Sequence, residues 1–556
     1  MDFDRVLVEI GEFGKYQITN YFLICLPVMF GAANSLSYVF TAGIPNYRCL
    51  IPECDDPDHP EYEVNWMQNA VPGSTDVQGV FTPEQCDRFY SRGNATFVET
   101  CPKDLFLTNR TLGCDEWVFD NSEKTIVQEW LITCTENAWK LALVGTMHFA
   151  GLVVGTAASG FLADRYGRKL VFVACIIFMS LTGILQGLAW DYNSFLIFAF
   201  LNAVGTSGVY PLAFIIGVEM VGPRKREMCS ILLNYFYAVG EALVGLSAWI
   251  CRDWKILQFG LSIPPILFVL YYWIVPESVR WLIVKEEHEK AKSIITRAAK
   301  VNGKVLSQGL LDTFEKPPND IMQSVELEKD SSLIVDSSVE DSRKYEIRRT
   351  VVLMLKSKTL LGRIIVLLYL WAVNAFVYYG LSLNSTNLSG NKYINFALVC
   401  LVEIPGYSLA WFLMNKAGRR WSSAGSLFLC AVTCVAGGFI TKGMTWAIVT
   451  LFLIGKLGIT ASFGVIYAHT AEMMPTVIRS GGVGCMSTVA RCGAMLAPFV
   501  PILGIYFKPL PLLIFGVVSL TGGILALLLP ETLGQKLPDT VEEAERIGGK
   551  SDEIFK

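Results

Sequence analysis

Twelve long apolar runs, punctuated at a near-constant interval by three repeated charged motifs, leave this chain few ways to fold. The first motif reads Gly160-Phe161-Leu162-Ala163-Asp164-Arg165-Tyr166-Gly167-Arg168-Lys169, with a partner at Asn415-Lys416-Ala417-Gly418-Arg419-Arg420. The second begins Glu219-Met220-Val221-Gly222-Pro223-Arg224-Lys225-Arg226 and returns as Glu472-Met473-Met474-Pro475-Thr476-Val477-Ile478-Arg479. The third is Pro276-Glu277-Ser278, matched by Pro530-Glu531-Thr532. The offsets are 251 residues from Gly167 to Gly418, 253 from Glu219 to Glu472 and 254 from Pro276 to Pro530. Three unrelated motifs at one spacing mean a duplicated half. A membrane-spanning helix needs about 20 mostly apolar residues. Twelve such runs are centred near residues 30, 152, 180, 207, 240, 267, 372, 402, 432, 457, 494 and 519.

Composition agrees. Of the 556 residues, 52% are hydrophobic and 17% charged, against about 25% charged in soluble proteins. The expected fold is an all-α polytopic membrane protein of two six-helix halves. Halves related by an internal repeat, with a site between them, are the usual build of a secondary transporter. A net charge of −4 and the lack of a basic tail argue against nucleic acid as a partner. The first run follows Asp2, Asp4, Glu9 and Glu12, unlike the positive start of a signal peptide, so it is read as a retained span. Arg165, Arg168 and Lys169 lie between spans 2 and 3, Arg224, Lys225 and Arg226 between 4 and 5, and Lys416, Arg419 and Arg420 between 8 and 9. The positive-inside rule then puts both termini in the cytoplasm. The expected organisation is a cytoplasmic N-terminus (1–18), a first half (19–282) with an extracellular insert (43–138), a cytoplasmic central loop (283–358), a second half (359–534) and a cytoplasmic tail (535–556).

The insert is acidic and holds six cysteines, Cys49, Cys54, Cys86, Cys101, Cys114 and Cys134. An even count in an oxidising compartment reads as up to three disulfides, in any of 15 connectivities. Glycosylation sequons at Asn94 and Asn109 fall in the same insert, and Asn384 and Asn387 carry two more between spans 7 and 8. The remaining cysteines have no metal-ligand spacing, there is no His-Glu-x-x-His, and no Gly-x-x-x-x-Gly-Lys-Ser/Thr loop. No metal site, ATP-driven pump or enzyme is expected. In the central loop, residues 286–301 read as a charged helix and 316–343 as a solvated linker with Ser331, Ser332, Ser337 and Ser338.

Two groups of charges point to a transport cycle. Asp164, Arg165, Arg168 and Glu219 gather at the inner helix ends of the first half, Arg419 and Glu472 at those of the second. Opposed charges there would hold an inner gate shut, at about 1 kcal/mol or less per partly wet pair. The other group lies at bilayer depth, where ionisable side chains usually face a cavity or a partner: Glu241 in span 5, Glu403 in span 8, Lys456 in span 10 and Arg491 in span 11. Lys456 is expected to bond backbone or another helix. His148 in span 2 is expected to be hydrogen-bonded within the bundle. Tyr235, Phe236, Tyr237, Trp371, Tyr378, Phe463 and Tyr467 supply aromatic faces that attract quaternary ammonium groups. Glu241 and Arg491 occupy equivalent places in the repeat, 250 residues apart, so acid faces base where the duplication breaks.

The repeated Gly-x-x-x-Asp-Arg-x-Gly-Arg-Lys loop resembles the signature of the major facilitator superfamily. Narrower signals are Cys114-Asp115-Glu116-Trp117, Glu129-Trp130 before Cys134, Pro276-Glu277-Ser278-Val279-Arg280-Trp281-Leu282, and Ala471-Glu472-Met473-Met474-Pro475-Thr476. With the Cys-rich first loop, they resemble the organic cation, carnitine and organic anion transporter family over nearly the whole chain. Leu131, Val279 and Asn415 depart from its pattern, where Asp, Pro and Asp are usual. The resemblance implies a twelve-helix plasma-membrane carrier working by alternating access. It implies substrate contacts at Asn234, Trp371 and Tyr378. Glu403 matches an acid of the cation and carnitine branches, and Arg491 stands where strict cation carriers have Asp. Glu403 or Glu241 would hold an ammonium and Arg491 a carboxylate. The function expected is transport of small organic cations or carnitine-like zwitterions, with no cofactor beyond Na+ or H+ as coupling ion. The alternatives are an organic anion exchanger using Arg491 and Lys456, and a receptor that binds without transporting. The partners are the substrate, the lipid bilayer and, through the extracellular loop, a second copy of the chain.

Overall fold

The computed structural model describes residues 3–75, 81–92, 100–307, 345–388, 390–440 and 444–548. Asn94 and the linker 316–343 lie outside the described residues. Among the described residues, eleven helices are long and apolar enough to cross a membrane. Spans 1 to 6 are Lys15–Thr41, Cys134–Tyr166, Arg168–Gly187, Tyr192–Met220, Pro223–Cys251 and Trp254–Ile274. Spans 7 to 11 are Lys358–Asn387, Lys392–Ala417, Arg419–Phe439, Thr445–Met473 and Arg479–Leu503. The apolar helix Leu510–Ala526 takes the twelfth place, at 17 residues. Every apolar run read from the sequence falls in one of these helices.

Small residues let the spans approach closely, as membrane bundles require. A side chain at Gly155 would meet Ser207 and Val204 of span 4, one at Gly240 would meet Met29 of span 1, and one at Gly493 would meet Ala372 of span 7. The equivalent motif glycines have φ of +108° at Gly167 and +85° at Gly418. Both end one span and start the next in the left-handed region that glycine enters freely. Span 8 breaks into Lys392–Leu401 and Glu403–Ala417. Pro405 has no N–H to offer Leu401 and its ring crowds that carbonyl, so the break falls just ahead of Glu403.

The insert is where strands appear. Three antiparallel ladders pair β1 (Tyr47–Cys49) with β6 (Trp117–Phe119), β2 (Gly73–Thr75) with β3 (Phe81–Pro83), and β4 (Asp87–Ser91) with β5 (Phe106–Gly113). Of the open connectivities, the structure takes Cys49–Cys114, Cys54–Cys101 and Cys86–Cys134. Arg48 is fully buried beneath them and bidentate on Asp55 at 2.8 and 2.6 Å. Span 2 starts at Cys134, inside the range read as insert, because the third disulfide anchors its first turn. Asn109 is exposed on β5.

On the face carrying the charged motifs, the helix His288–Asn302 packs against the N-terminal helix Phe3–Ile10 through Val6, Ile10, Ala291 and Ile295. In the tail, the helix Val541–Arg546 docks under span 7, where Arg363 donates to Ala544 O and Ile547 O at 2.8 Å. On the insert face the two halves touch. Thr146 Oγ1 donates to Met495 O at 3.0 Å, Phe40 stacks on Tyr393 at 5.4 Å, and Glu123 pairs with Lys392. Tyr393 also donates to Glu123, at 2.9 Å.

Candidate functional site

The motif charges form two similar clusters. In the second half, Arg419 Nε and Nη2 lie 3.1 and 2.7 Å from Glu472 Oε1. Thr532 donates to Glu472 at 2.6 Å, and Glu531 accepts the backbone N–H groups of Arg419 and Arg420 at 2.8 and 3.1 Å. In the first half, Arg168 pairs with Asp164 at 3.0 Å and reaches Glu219 at 3.9 Å. Ser278 donates to Glu219, and Glu277 accepts the Lys169 N–H at 3.0 Å. Each acid of the third motif thus caps the span that follows the positive-φ glycine, where unpaired N–H groups and the helix dipole favour a negative charge. Burial works to raise the pKa of Glu531, but N–H donors from Arg419, Leu533, Thr532 and Arg420 outweigh it and hold the carboxyl below its usual range.

Two sequence expectations about the gate are corrected. Arg165 is exposed and lies 5.5 Å from the ring of Tyr166, outside the cluster, because i and i+1 point to different sides of a helix whereas Asp164 and Arg168 share one. The described pairs of each cluster also stay within one half. In each half they join three helix ends.

At mid-membrane, Lys456 and Glu403 are both fully buried, with Nζ 2.8 Å from Oε1. Lys456 also donates to Ser382 Oγ at 2.8 Å and Tyr378 O at 3.2 Å, and Nζ lies 3.4 Å from the Tyr378 ring centroid. Tyr378 OH donates to Glu403 Oε2 at 2.6 Å. Two ammonium hydrogens are therefore committed to hydrogen bonds and the charge itself to Glu403. Gly455 and Gly458 carry Lys456 into this position by letting span 10 close on span 9, against Thr433, Cys434 and Ser426. Glu403, one of the two acids expected to hold an ammonium, is already paired in this structure. Lys456 does bond backbone and another helix, and its charge goes to Glu403.

Arg491 turns back on its own helix, donating from Nη1 to Ser487 O at 3.3 Å and Oγ at 3.1 Å. Among the described residues its Nε and Nη2 have no hydrogen-bond partner. Tyr379 and Tyr467 lie within electrostatic reach of the guanidinium. Glu241 is fully buried, and neither carboxyl oxygen has a hydrogen-bond partner among the described residues. Glu403 and Tyr378 lie beside it.

An aromatic wall joins these charges. Trp371 is buried, donates to Thr470 at 2.9 Å and meets Tyr467 at 4.5 Å. Phe463 packs on Tyr378 at 5.4 Å and on Tyr467 at 5.7 Å. Tyr237 meets Tyr210 at 5.5 Å, and Tyr210 OH donates to Asn234 at 2.8 Å. Tyr235 is bonded across the halves to Ser408 at 2.6 Å, and Phe236 packs edge-on against Phe22 at 5.6 Å. The sequence missed Tyr210, Tyr379 and Ser382. The Tyr378-Tyr379 doublet was the one signal available, since adjacent helix positions let one ring hold an acid and the other face the centre. His148 is buried against Tyr38 and Phe149, but its Nε2 has no hydrogen-bond partner among the described residues, contrary to expectation.

The chain matches the sugar (and other) transporter family over residues 104–544. An organic cation transporter protein of Drosophila melanogaster is 35% identical over 558 residues, covering 99% of this chain and 96% of the relative. The organic cation/carnitine transporter 2 of Homo sapiens is 32% identical, covering 99% and 95%. The inward open conformation of the xylose transporter XylE from E. coli superposes with a TM-score of 0.55 at 16% identity, over 77% of this chain and 93% of that one. That likeness is one of fold alone.

Proposed function

The chain belongs to the sugar (and other) transporter family and, within it, to the organic cation and carnitine transporters, and on that premise we propose that it carries small organic cations and carnitine-like zwitterions across the plasma membrane. It is a secondary transporter working by alternating access, not an enzyme. The observation that carries the substrate reading is a carboxylate left unpaired at mid-membrane. Lys456 is spent on Glu403, while Glu241 keeps both oxygens free of hydrogen bonds among the described residues. Tyr237 shares a helix face with Glu241, four residues away. An ammonium entering there meets a carboxylate and aromatic faces, each face worth about 0.5–2 kcal/mol. The Nε and Nη2 edge of Arg491 is the fork that binds a carboxylate bidentately, which suits the second end of a zwitterion. An anion exchanger is disfavoured, because the neutralised Lys456 leaves Arg491 as the one unpaired mid-membrane cation among the described residues, set against Glu241.

The basic motif loops support a cytoplasmic motif face with both termini. The three disulfides support an extracellular insert. Coupling to Na+ or H+ fits the unpaired carboxyl of Glu241. The β4–β5 hairpin exposes Tyr90 and Leu112, which supports the insert as the surface where copies meet. The test is initial uptake of labelled tetraethylammonium, carnitine and an aryl carboxylate into cells making the chain or its Arg491→Asp variant. The first two enter the wild type, and the variant shifts preference toward tetraethylammonium by tenfold or more, as loss of a charged hydrogen-bond pair of about 1.5–3 kcal/mol implies. Uptake of the aryl carboxylate alone overturns the reading.

A further inference from the structure

The segment that leads into span 7 carries a surface that the transport site does not use. Residues 345–356 form a helix, and Ser357 follows as the cap of Lys358–Asn384, its side chain accepting from Leu360 N. Burial along this segment has a helical period. Thr350, Met354 and Ser357 are the residues of 345–357 that are not exposed, at i, i+4 and i+7. That side belongs to the protein. Met354 is buried in the core that also holds Leu360, Leu529 and Ala544, and Ser357 donates to Glu545 of the tail helix at 2.9 Å.

The opposite side brings together Tyr345, Arg348, Arg349, Val352, Leu355 and Lys356, spaced i, i+3, i+4, i+7, i+10 and i+11. All six are exposed, Tyr345 at 69% and Leu355 at 51%. Apolar side chains interleaved with guanidinium and ammonium groups suit neither water nor a dry core. They suit the boundary between acyl chains and headgroups, where an Arg or Lys stem lies along apolar surface and its charge reaches the phosphates.

Two observations favour lipid over a soluble partner. The first is place: the helix ends one residue ahead of a membrane span, so its last turn stands at headgroup level. The second is charge: over 345–358, Arg348, Arg349, Lys356 and Lys358 stand against Glu346 alone. Four bases immediately beside a span form the pattern that anionic headgroups recognise.

We propose that this mixed face of the helix 345–356 docks on anionic lipid, so that the start of span 7 is held by the membrane on one side and by the tail helix on the other. The contact is independent of what the chain carries.

The test is hydrogen exchange, read by mass spectrometry, on the purified full-length chain with one copy per nanodisc. One set of discs is phosphatidylcholine alone, and the other is equal parts of phosphatidylcholine and phosphatidylserine. Each base beside an anionic surface shifts the balance about fivefold, so amides of 345–356 should exchange at least about tenfold more slowly in the anionic discs. Arg348→Gln/Arg349→Gln/Lys356→Gln should erase that difference, and Arg348→Lys/Arg349→Lys should keep it. The insert strand Phe106–Gly113 should exchange alike in both lipids. Equal exchange of wild-type 345–356 in the two lipids overturns the proposal without any variant, as does a difference that the triple Gln variant retains. Protection that only added calcium-bound calmodulin supplies, a soluble protein that grips basic amphipathic helices, gives the face to a protein partner and overturns it equally.

Discussion

Removing Lys456 gives the sharpest test of how the second half is held together. In Lys456→Met, Glu403 stays fully buried, loses its ion pair, and Ser382 Oγ and Tyr378 O lose a donor. Breaking a buried pair by deleting one partner costs about 3–5 kcal/mol, because the remaining charge has no compensation. If the six spans of the second half melt as one unit, Tm falls by roughly 6–20 °C at about 2–4 °C per kcal/mol. Replacing both partners removes the stranded charge, so Glu403→Gln/Lys456→Met should recover more than half of that loss. The assay is thermal unfolding of purified protein in detergent, followed by fluorescence-detected gel filtration. An unchanged Tm in the single variant refutes the reasoning. So does a double variant no more stable than the single one.

Three further outcomes follow from the geometry. Glu123–Lys392 is an ion pair that joins the two halves, so Glu123→Lys or Lys392→Glu alone should slow uptake, with roughly 1 kcal/mol shifting the open–closed balance a few-fold; the double swap should restore the rate, and failure to do so removes this latch. Arg419→Ala should lower transport and stability by about 1–3 kcal/mol, whereas Arg165→Ala should stay within about 0.5 kcal/mol of wild type, both read as uptake corrected for surface protein; equal effects would dismiss the revised gate cluster. Glu531 has a folded pKa below its unfolded one, so its contribution is fully present above the ordinary Glu range and is lost as pH falls through the depressed value; Tm should therefore drop on acidification, with Glu531→Gln flattening that part of the profile, and an unaltered profile would contradict the cap.

The twelve spans and their duplication were legible because apolar length and motif spacing are one-dimensional facts. Every run read from the sequence is a helix, and the paired glycines, acids and arginines of the motifs occupy matching places. Reading the partner of Glu403 needed more. Lys456 and Arg491 are both basic and both on neighbouring spans, and the choice between them depends on how spans 10 and 11 are rotated. Gly455 and Gly458 turn Lys456 inward, while Ser487 draws Arg491 back along its own helix. Arg165 stands outside the cluster for a reason the sequence did contain, since Asp164 and Arg168 are four apart and share a face. The disulfide pairing was not legible, because Cα separations across three ladders are set by folding of the insert.

Alternating access requires one central site reached in turn from both faces. Counterflow measures that directly: liposomes holding the purified chain are loaded with unlabelled tetraethylammonium and diluted into labelled carnitine. A site of this kind predicts a transient overshoot of labelled carnitine inside, abolished when the internal tetraethylammonium is omitted. Saturable binding of the label with no overshoot would mean a receptor that holds its ligand without passing it on, and would contradict the account.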